Sequence, residues 1–72
     1  MITATQVEMM ARAMNRVRQS GRDPISIEQK ASVHEYEVYA LRRTTNRIFY
    51  ETLFVNVSAD EPELRVLTSD PA

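Results

Sequence analysis

The residues best suited to chemistry cluster around one histidine. His34 is followed by Glu35 and Glu37 in the run VHEYEVYALRR, residues 33–43, and a third carboxylate, Glu51, lies further along. Imidazole and carboxylates together could ligate a metal or move a proton. A stable site needs three or four ligands converging on one point. If residues 33–43 form a strand, consecutive side chains leave on opposite faces. Glu35 then turns away from His34, and only Glu37 or Glu51 could approach it. Paired carboxylates such as Glu35 and Glu37 work as acid and base only inside a cleft, and a domain this small rarely has one. The chain contains no nucleophile elbow, no glycine-rich phosphate loop and no paired helical metal motif. Its single glycine, Gly21, leaves no means of bringing backbone close to a phosphate. The expectation is a protein that is not an enzyme, with no metal and no cofactor.

A second group of residues suits binding. Arg42, Arg43 and Arg47 surround the segment TTN, and aromatic residues follow in RIFYETLFVNV, residues 47–57. Arginine beside exposed rings is the pattern with which single-stranded nucleic acid is gripped, by phosphate contact and base stacking. Glu35 and Glu37 on the same ribbon would repel that ligand. A third group lies on the first element, where a helical wheel sets Met9 between Arg12 and Arg16. A methionine there can pack adaptively against a partner.

These residues need elements to position them. Val7, Met10, Met14 and Val17, with Ala11 beside them, recur at the spacing of an amphipathic helix, which turns Met9, Arg12, Ala13 and Arg16 outward. Thr3 and Gln6 form a capping-box pair, with Ile2 and Val7 as a hydrophobic staple. Gly21 ends the run, followed by Pro24. Residues 24–32, PISIEQKAS, read as a connection able to take one helical turn capped by Ser26 and Gln29. From Val33 the period becomes two, and residues 33–43 and 47–57 read as paired strands. SADEPE, residues 58–63, reads as a loop, LRVLT, residues 64–68, as a third strand, and residues 69–72 as a frayed tail. The fold class is α+β: an N-terminal helix packed on one face of a three-stranded antiparallel meander, α-β-β-β, in one domain spanning residues 1–72. That order is topologically similar to the opening of a double-stranded-RNA-binding domain. The basic lysine motif of that family is absent, so no residue is assigned from it.

The segment RIFYETLFVNV is apolar on both sides, which is the central puzzle of the sequence. A half-buried hairpin aligns its strongest apolar pairs on one face. That sets Tyr36 against Val55, Val38 against Leu53, Ala40 against Glu51 and Arg42 against Phe49. It requires a loop of even length, either Thr45-Asn46 or Thr44 through Arg47. The other face then carries Tyr39, Leu41, Ile48, Tyr50 and Phe54. One helix cannot cover both sides, and exposed apolar patches of this kind mark protein contacts.

Composition sets the outer bounds. The chain has 72 residues, 43% hydrophobic and 26% charged, with no cysteine and a net charge of −1. That describes one small folded domain without disulfides or thiolate metal sites, with stability of about 4–11 kcal/mol. Residues 1–30 carry Arg12, Arg16, Arg18, Arg22 and Lys30 against Glu8, Asp23 and Glu28, whereas residues 58–72 are acidic. Neither end is a charged block. No apolar run is long enough to span a membrane, the first residues lack the apolar core of a secretory signal, and the lack of cysteine suits a reducing cytoplasm.

The leading expectation is a non-enzymatic protein-binding module using Met9, Arg12, Arg16, Tyr39, Leu41, Ile48, Tyr50 and Phe54. Its size and lack of catalytic motifs fit a small phage or mobile-element regulator that inhibits or modulates a host macromolecular machine of transcription or defence. The partner is then a host or cellular protein, not a membrane. The alternatives are a nucleic-acid-binding module using Arg42, Arg43 and Arg47 with the helix arginines, and a small structural homodimer.

Overall fold

The computed structural model describes all residues from Met1 to Ala72. Helix α1, Ala4–Gln19, is followed by four strands: β1 Arg22–Gln29, β2 Glu35–Arg43, β3 Ile48–Asn56 and β4 Glu63–Pro71. The strands form one antiparallel sheet in the order β1-β2-β3-β4. The class is α+β, with four strands rather than three. The additional strand removes the likeness to the RNA-binding topology.

The additional strand is β1, which occupies most of the stretch expected to be a connection. Its sequence, RDPISIEQ, hides it. Pro24 cannot donate a ladder hydrogen bond, but at a sheet edge none is required. A register shift between Pro24 and Ser26 then sets Ser26 against Tyr39 and Ile27 against Val38. This bulge breaks the period-two alternation that identifies a strand in sequence. Residues 69–72 are likewise not a frayed tail. β4 runs to Pro71, Asp70 pairs with Tyr50, and the Ala72 N–H donates to the Ile48 carbonyl at 2.8 Å.

The central hairpin has the pairing expected from side-chain chemistry. Tyr36 opposes Val55, Val38 opposes Leu53, Ala40 opposes Glu51 and Arg42 opposes Phe49. The loop is Thr44 through Arg47, closed by the Thr44 N–H to the Arg47 carbonyl at 2.8 Å and the Arg47 N–H to Thr44 Oγ1 at 3.1 Å. β2 begins at Glu35, two residues later than expected. Ser32, Val33 and His34 belong to a turn in which the Lys30 N–H donates to the Glu35 carbonyl at 2.8 Å.

The caps of α1 act largely as their residue types require. Thr3 is the N-cap, with Oγ1 accepting from the Gln6 N–H at 3.0 Å. The box is only half formed, since the Gln6 side chain does not accept from the Thr3 N–H; its Nε2 donates to Gln29 Oε1 at 2.7 Å and ties the helix start to the end of β1. Gly21 takes a φ of +81° beyond the helix end, a region other residues avoid. Ile2 and Val7 are exposed and make no staple.

The helix face differs from the expected one. Ala13 and Val17 are fully buried, Met9 and Met10 pack against the core, and Val7 faces solvent. The rotation has a physical basis at Ala13, whose small side chain lets the helix axis come close to the pleated surface. Hydrogen bonds from Arg12 and Arg16 to the loop after β3 hold that orientation. Ala13 and Val17 join Tyr36, Val38, Ala40, Leu53, Val55 and Val57 in a single core, with Ile27 and Leu64 at its margin. The helix lies over β1, β2 and β3.

Within that core the Tyr36 hydroxyl is buried without a hydrogen-bond partner, and burial raises its pKa above the usual tyrosine value. An unsatisfied buried hydroxyl costs about 1–3 kcal/mol. Tyr36→Phe, which keeps the ring and removes the orphaned group, should therefore stabilise the fold by about 1 kcal/mol, read as a higher urea midpoint at unchanged slope. A lower midpoint would mean that the hydroxyl has a partner in solution.

Candidate protein-docking face

Side-chain alternation divides the sheet into a face under the helix and an outer face that no element covers. The buried residues Tyr36, Val38 and Ala40 fix the inner side of β2, so Glu35, Glu37, Tyr39, Leu41 and Arg43 face outward. Their partners on β3 are Asn56, Phe54, Thr52, Tyr50 and Ile48. β1 adds Asp23, Ser26 and Glu28, and β4 adds Glu63, Arg65, Thr68 and Asp70.

At the centre of this face, Tyr39 and Tyr50 are diagonal neighbours with ring centroids 5.9 Å apart and planes within 8° of parallel. The stack fixes both rings without enclosing them, and Tyr39 remains 43% exposed. Leu41 and Ile48 extend the apolar surface toward the hairpin tip, with Ile48 39% exposed. Phe54 extends it the other way, and the Arg65 guanidinium lies over its ring at 5.1 Å. Charges surround this strip. Lys30 Nζ is 3.4 Å from Glu37 and 3.9 Å from Glu28, and Arg43 is 3.8 Å from Asp23.

The structure brings five of the eight predicted docking residues together: Tyr39, Leu41, Ile48, Tyr50 and Phe54. The other three lie elsewhere and are occupied. Met9 packs against the core. Arg12 Nη1 donates to the Val57 carbonyl at 2.9 Å and its Nη2 to the Ala59 carbonyl at 2.7 Å. Arg16 Nε donates to the Pro62 carbonyl at 2.8 Å. These two arginines fasten the β3–β4 loop to the helix, so the expectation of an outward binding face on the helix is corrected to a structural clamp.

The three hairpin arginines do not form one cluster either. Arg42 points to the helix side, where it stacks on Phe49 at 4.4 Å and its Nε donates to Glu51 at 3.1 Å. Arg43 and Arg47 stay exposed at the tip. The sequence concealed the Glu51 cluster, since a carboxylate among aromatic and β-branched residues reads as solvent-facing. Glu51 is 2% exposed. Its Oε1 accepts from Arg22 Nε at 2.7 Å and from Arg42, and its Oε2 accepts from Ser69 Oγ at 2.9 Å. The pairing of Glu51 with Ala40 was the available signal, because it placed Glu51 on the inner face.

Burial by itself would raise the Glu51 carboxyl. Hydrogen bonds from Arg22 and Ser69, with the charges of Arg22 and Arg42, outweigh it and hold the pKa below the ordinary value of 4.5. Both of its oxygens accept hydrogen bonds within the sheet, Oε1 from two arginines and Oε2 from one serine. His34 is exposed, and no three histidine or acidic side chains are grouped to hold a metal ion. No helix is long and apolar enough to cross a membrane.

A depressed carboxylate pKa stabilises the fold above its unfolded-state value, and that contribution disappears as pH falls through the folded value. The urea midpoint should therefore fall as pH drops below 4.5. Glu51→Gln should flatten that dependence while costing about 3 kcal/mol at neutral pH, because Arg22 and Arg42 then face each other without a counter-charge. An unchanged acid limb in the variant would show that other carboxylates govern it.

Comparison with protein-family models, with curated proteins and with solved structures gave no match to this chain.

Proposed function

We propose that the chain is a non-enzymatic protein-binding module that docks through the outer face of its sheet, acting by occupancy as a small regulator of a larger cellular machine. The observation that carries this reading is the open Tyr39–Tyr50 stack, flanked by Leu41, Ile48 and Phe54 on a face that no other element covers. Rings pre-ordered by stacking present apolar area with little entropy left to lose on binding, which is why aromatic residues anchor protein interfaces. A polar rim around an apolar strip completes the usual anatomy of a contact surface.

The nucleic-acid alternative has less support. Arg12, Arg16 and Arg42 are engaged within the fold, and carboxylates outnumber cations around the rings. Phosphate-driven binding weakens steeply with salt. A protein that retained DNA or RNA with a steep salt slope would favour that alternative.

The docking reading is tested by immobilising wild-type chain beside Tyr39→Ala and Tyr50→Ala and exposing all three to extract from the native cell. A protein held by the wild type should be lost from both variants, with retention falling about tenfold or more, as truncation of an aromatic anchor produces. Helicity and melting should stay close to wild type, since neither ring belongs to the core. Equal retention by all three would overturn the reading, as would loss of helicity in the variants.

A further inference from the structure

We infer that the outer face receives a cationic protein surface, with an arginine side chain of the partner entering the hollow between Glu28, Glu37 and Tyr39. This deepens the docking reading and rests on it.

The charge on the face is one-sided. It carries six carboxylates, Asp23, Glu28, Glu35, Glu37, Glu63 and Asp70, against Arg43, Arg65 and the ammonium of Lys30 that reaches over Glu37. Glu35, Glu63 and Asp70 have no ion-pair partner. The imbalance comes from how the fold uses its cations. Arg12, Arg16, Arg22 and Arg42 all donate to backbone carbonyls or to Glu51 away from this face. A sequence close to neutral is thereby folded into a molecule with an acidic front. Complementary potential of this kind selects partners and speeds their encounter.

The hollow supplies the local geometry. It holds about 250 Å³ and is lined by Ser26, Glu28, Glu37, Tyr39 and Thr52, among others. Two carboxylates share one ammonium there, Lys30, at 3.4 and 3.9 Å, and all three groups are partly solvated. One negative charge is left over, and the Tyr39 ring lines the same hollow. Guanidinium suits that combination better than ammonium, since it is planar, forked and weakly hydrated. The molecule already makes the contact twice, with Arg42 over Phe49 at 4.4 Å and Arg65 over Phe54 at 5.1 Å. Tyr39, against Tyr50 on one side, has no cation of this chain over its ring.

Lys30 is then a resident competitor. An incoming arginine must share or displace its contacts, so removing it should strengthen binding rather than weaken it. A role for Lys30 in merely holding β1 to β2 would not have that effect.

The test uses fluorescence anisotropy of labelled oligoarginine and oligolysine peptides with the full chain at low salt. Oligoarginine should bind more tightly than oligolysine. Glu28→Gln combined with Glu37→Gln should weaken it about tenfold, the loss expected of two partly exposed ion pairs. Tyr39→Ala should weaken it about threefold through the lost ring face. Lys30→Ala should tighten it by a similar factor, whereas Glu8→Gln on the helix should change nothing. The proposal is overturned if the carboxylate pair and Lys30 variants bind oligoarginine as wild type does, or if Lys30→Ala weakens binding. The same variants applied to the captured native partner separate the two readings. A partner that depends on Tyr50 but ignores Glu37→Gln and Lys30→Ala leaves docking intact and removes the cationic assignment. Oligoarginine binding in the hollow with no Tyr50-dependent partner removes docking instead.

Discussion

The Glu51 carboxylate joins every strand of the sheet. Arg22 comes from β1, Arg42 from β2, Glu51 from β3 and Ser69 from β4, so one buried anion is shared by four strands. Buried ion pairs are often poor sources of net stability, because desolvation offsets attraction. Their use here is in specificity. Slipping any neighbour by one residue would carry its donor to the opposite face, leaving Glu51 buried and short of a partner. A core of eight residues, several of them small, is a weak discriminator between registers. The carboxylate supplies a penalty that interchangeable valines cannot.

That arrangement also determines which surface stays free. Because the apolar core and the ion cluster both occupy the helix side, the helix and the cationic side chains are drawn to the same face. Arg12 and Arg16 reach across to the loop after β3, while Arg22 and Arg42 turn inward to Glu51. The opposite face is left with rings and carboxylates. Its character is a consequence of how the core is satisfied, and a nearly neutral composition gives no hint of it. Tyr39 and Tyr50 cannot retreat from that face, because the pleat that buries Val38 and Leu53 turns them outward.

What could be read in advance followed the strength of the local pattern. The β2–β3 register was legible because alternation on both strands allowed one alignment that placed valine, tyrosine and leucine together. The caps at Thr3 and Gly21 were legible because each residue type has a specific task at a helix end. β1 was not, since proline and a bulge interrupt its alternation within a few residues of its start. The helix face was misjudged because methionine and valine outweigh alanine in any apolar count, whereas close approach to a sheet favours the smaller residue. Arg12 and Arg16 looked available for a partner only because their acceptors are backbone carbonyls in a loop, which no side-chain pattern reveals.

The sheet edges bear on how the molecule meets others. An unpaired edge strand invites addition of a further strand unless something interrupts it. β1 carries Pro24 and a bulge beside it. β4 carries a register shift that leaves Leu67 without a partner opposite, and it ends on Asp70 and Pro71. Val66 and Leu67 are nevertheless exposed, so β4 is the weaker guard. Its irregularity still shortens the straight run available for ladder pairing, whereas the outer face runs without interruption across β2 and β3. A homodimer built edge to edge would have to straighten β4 first. A partner laid across the rings of Tyr39 and Tyr50 meets them already in place, and that difference in preorganisation favours the face over the edge.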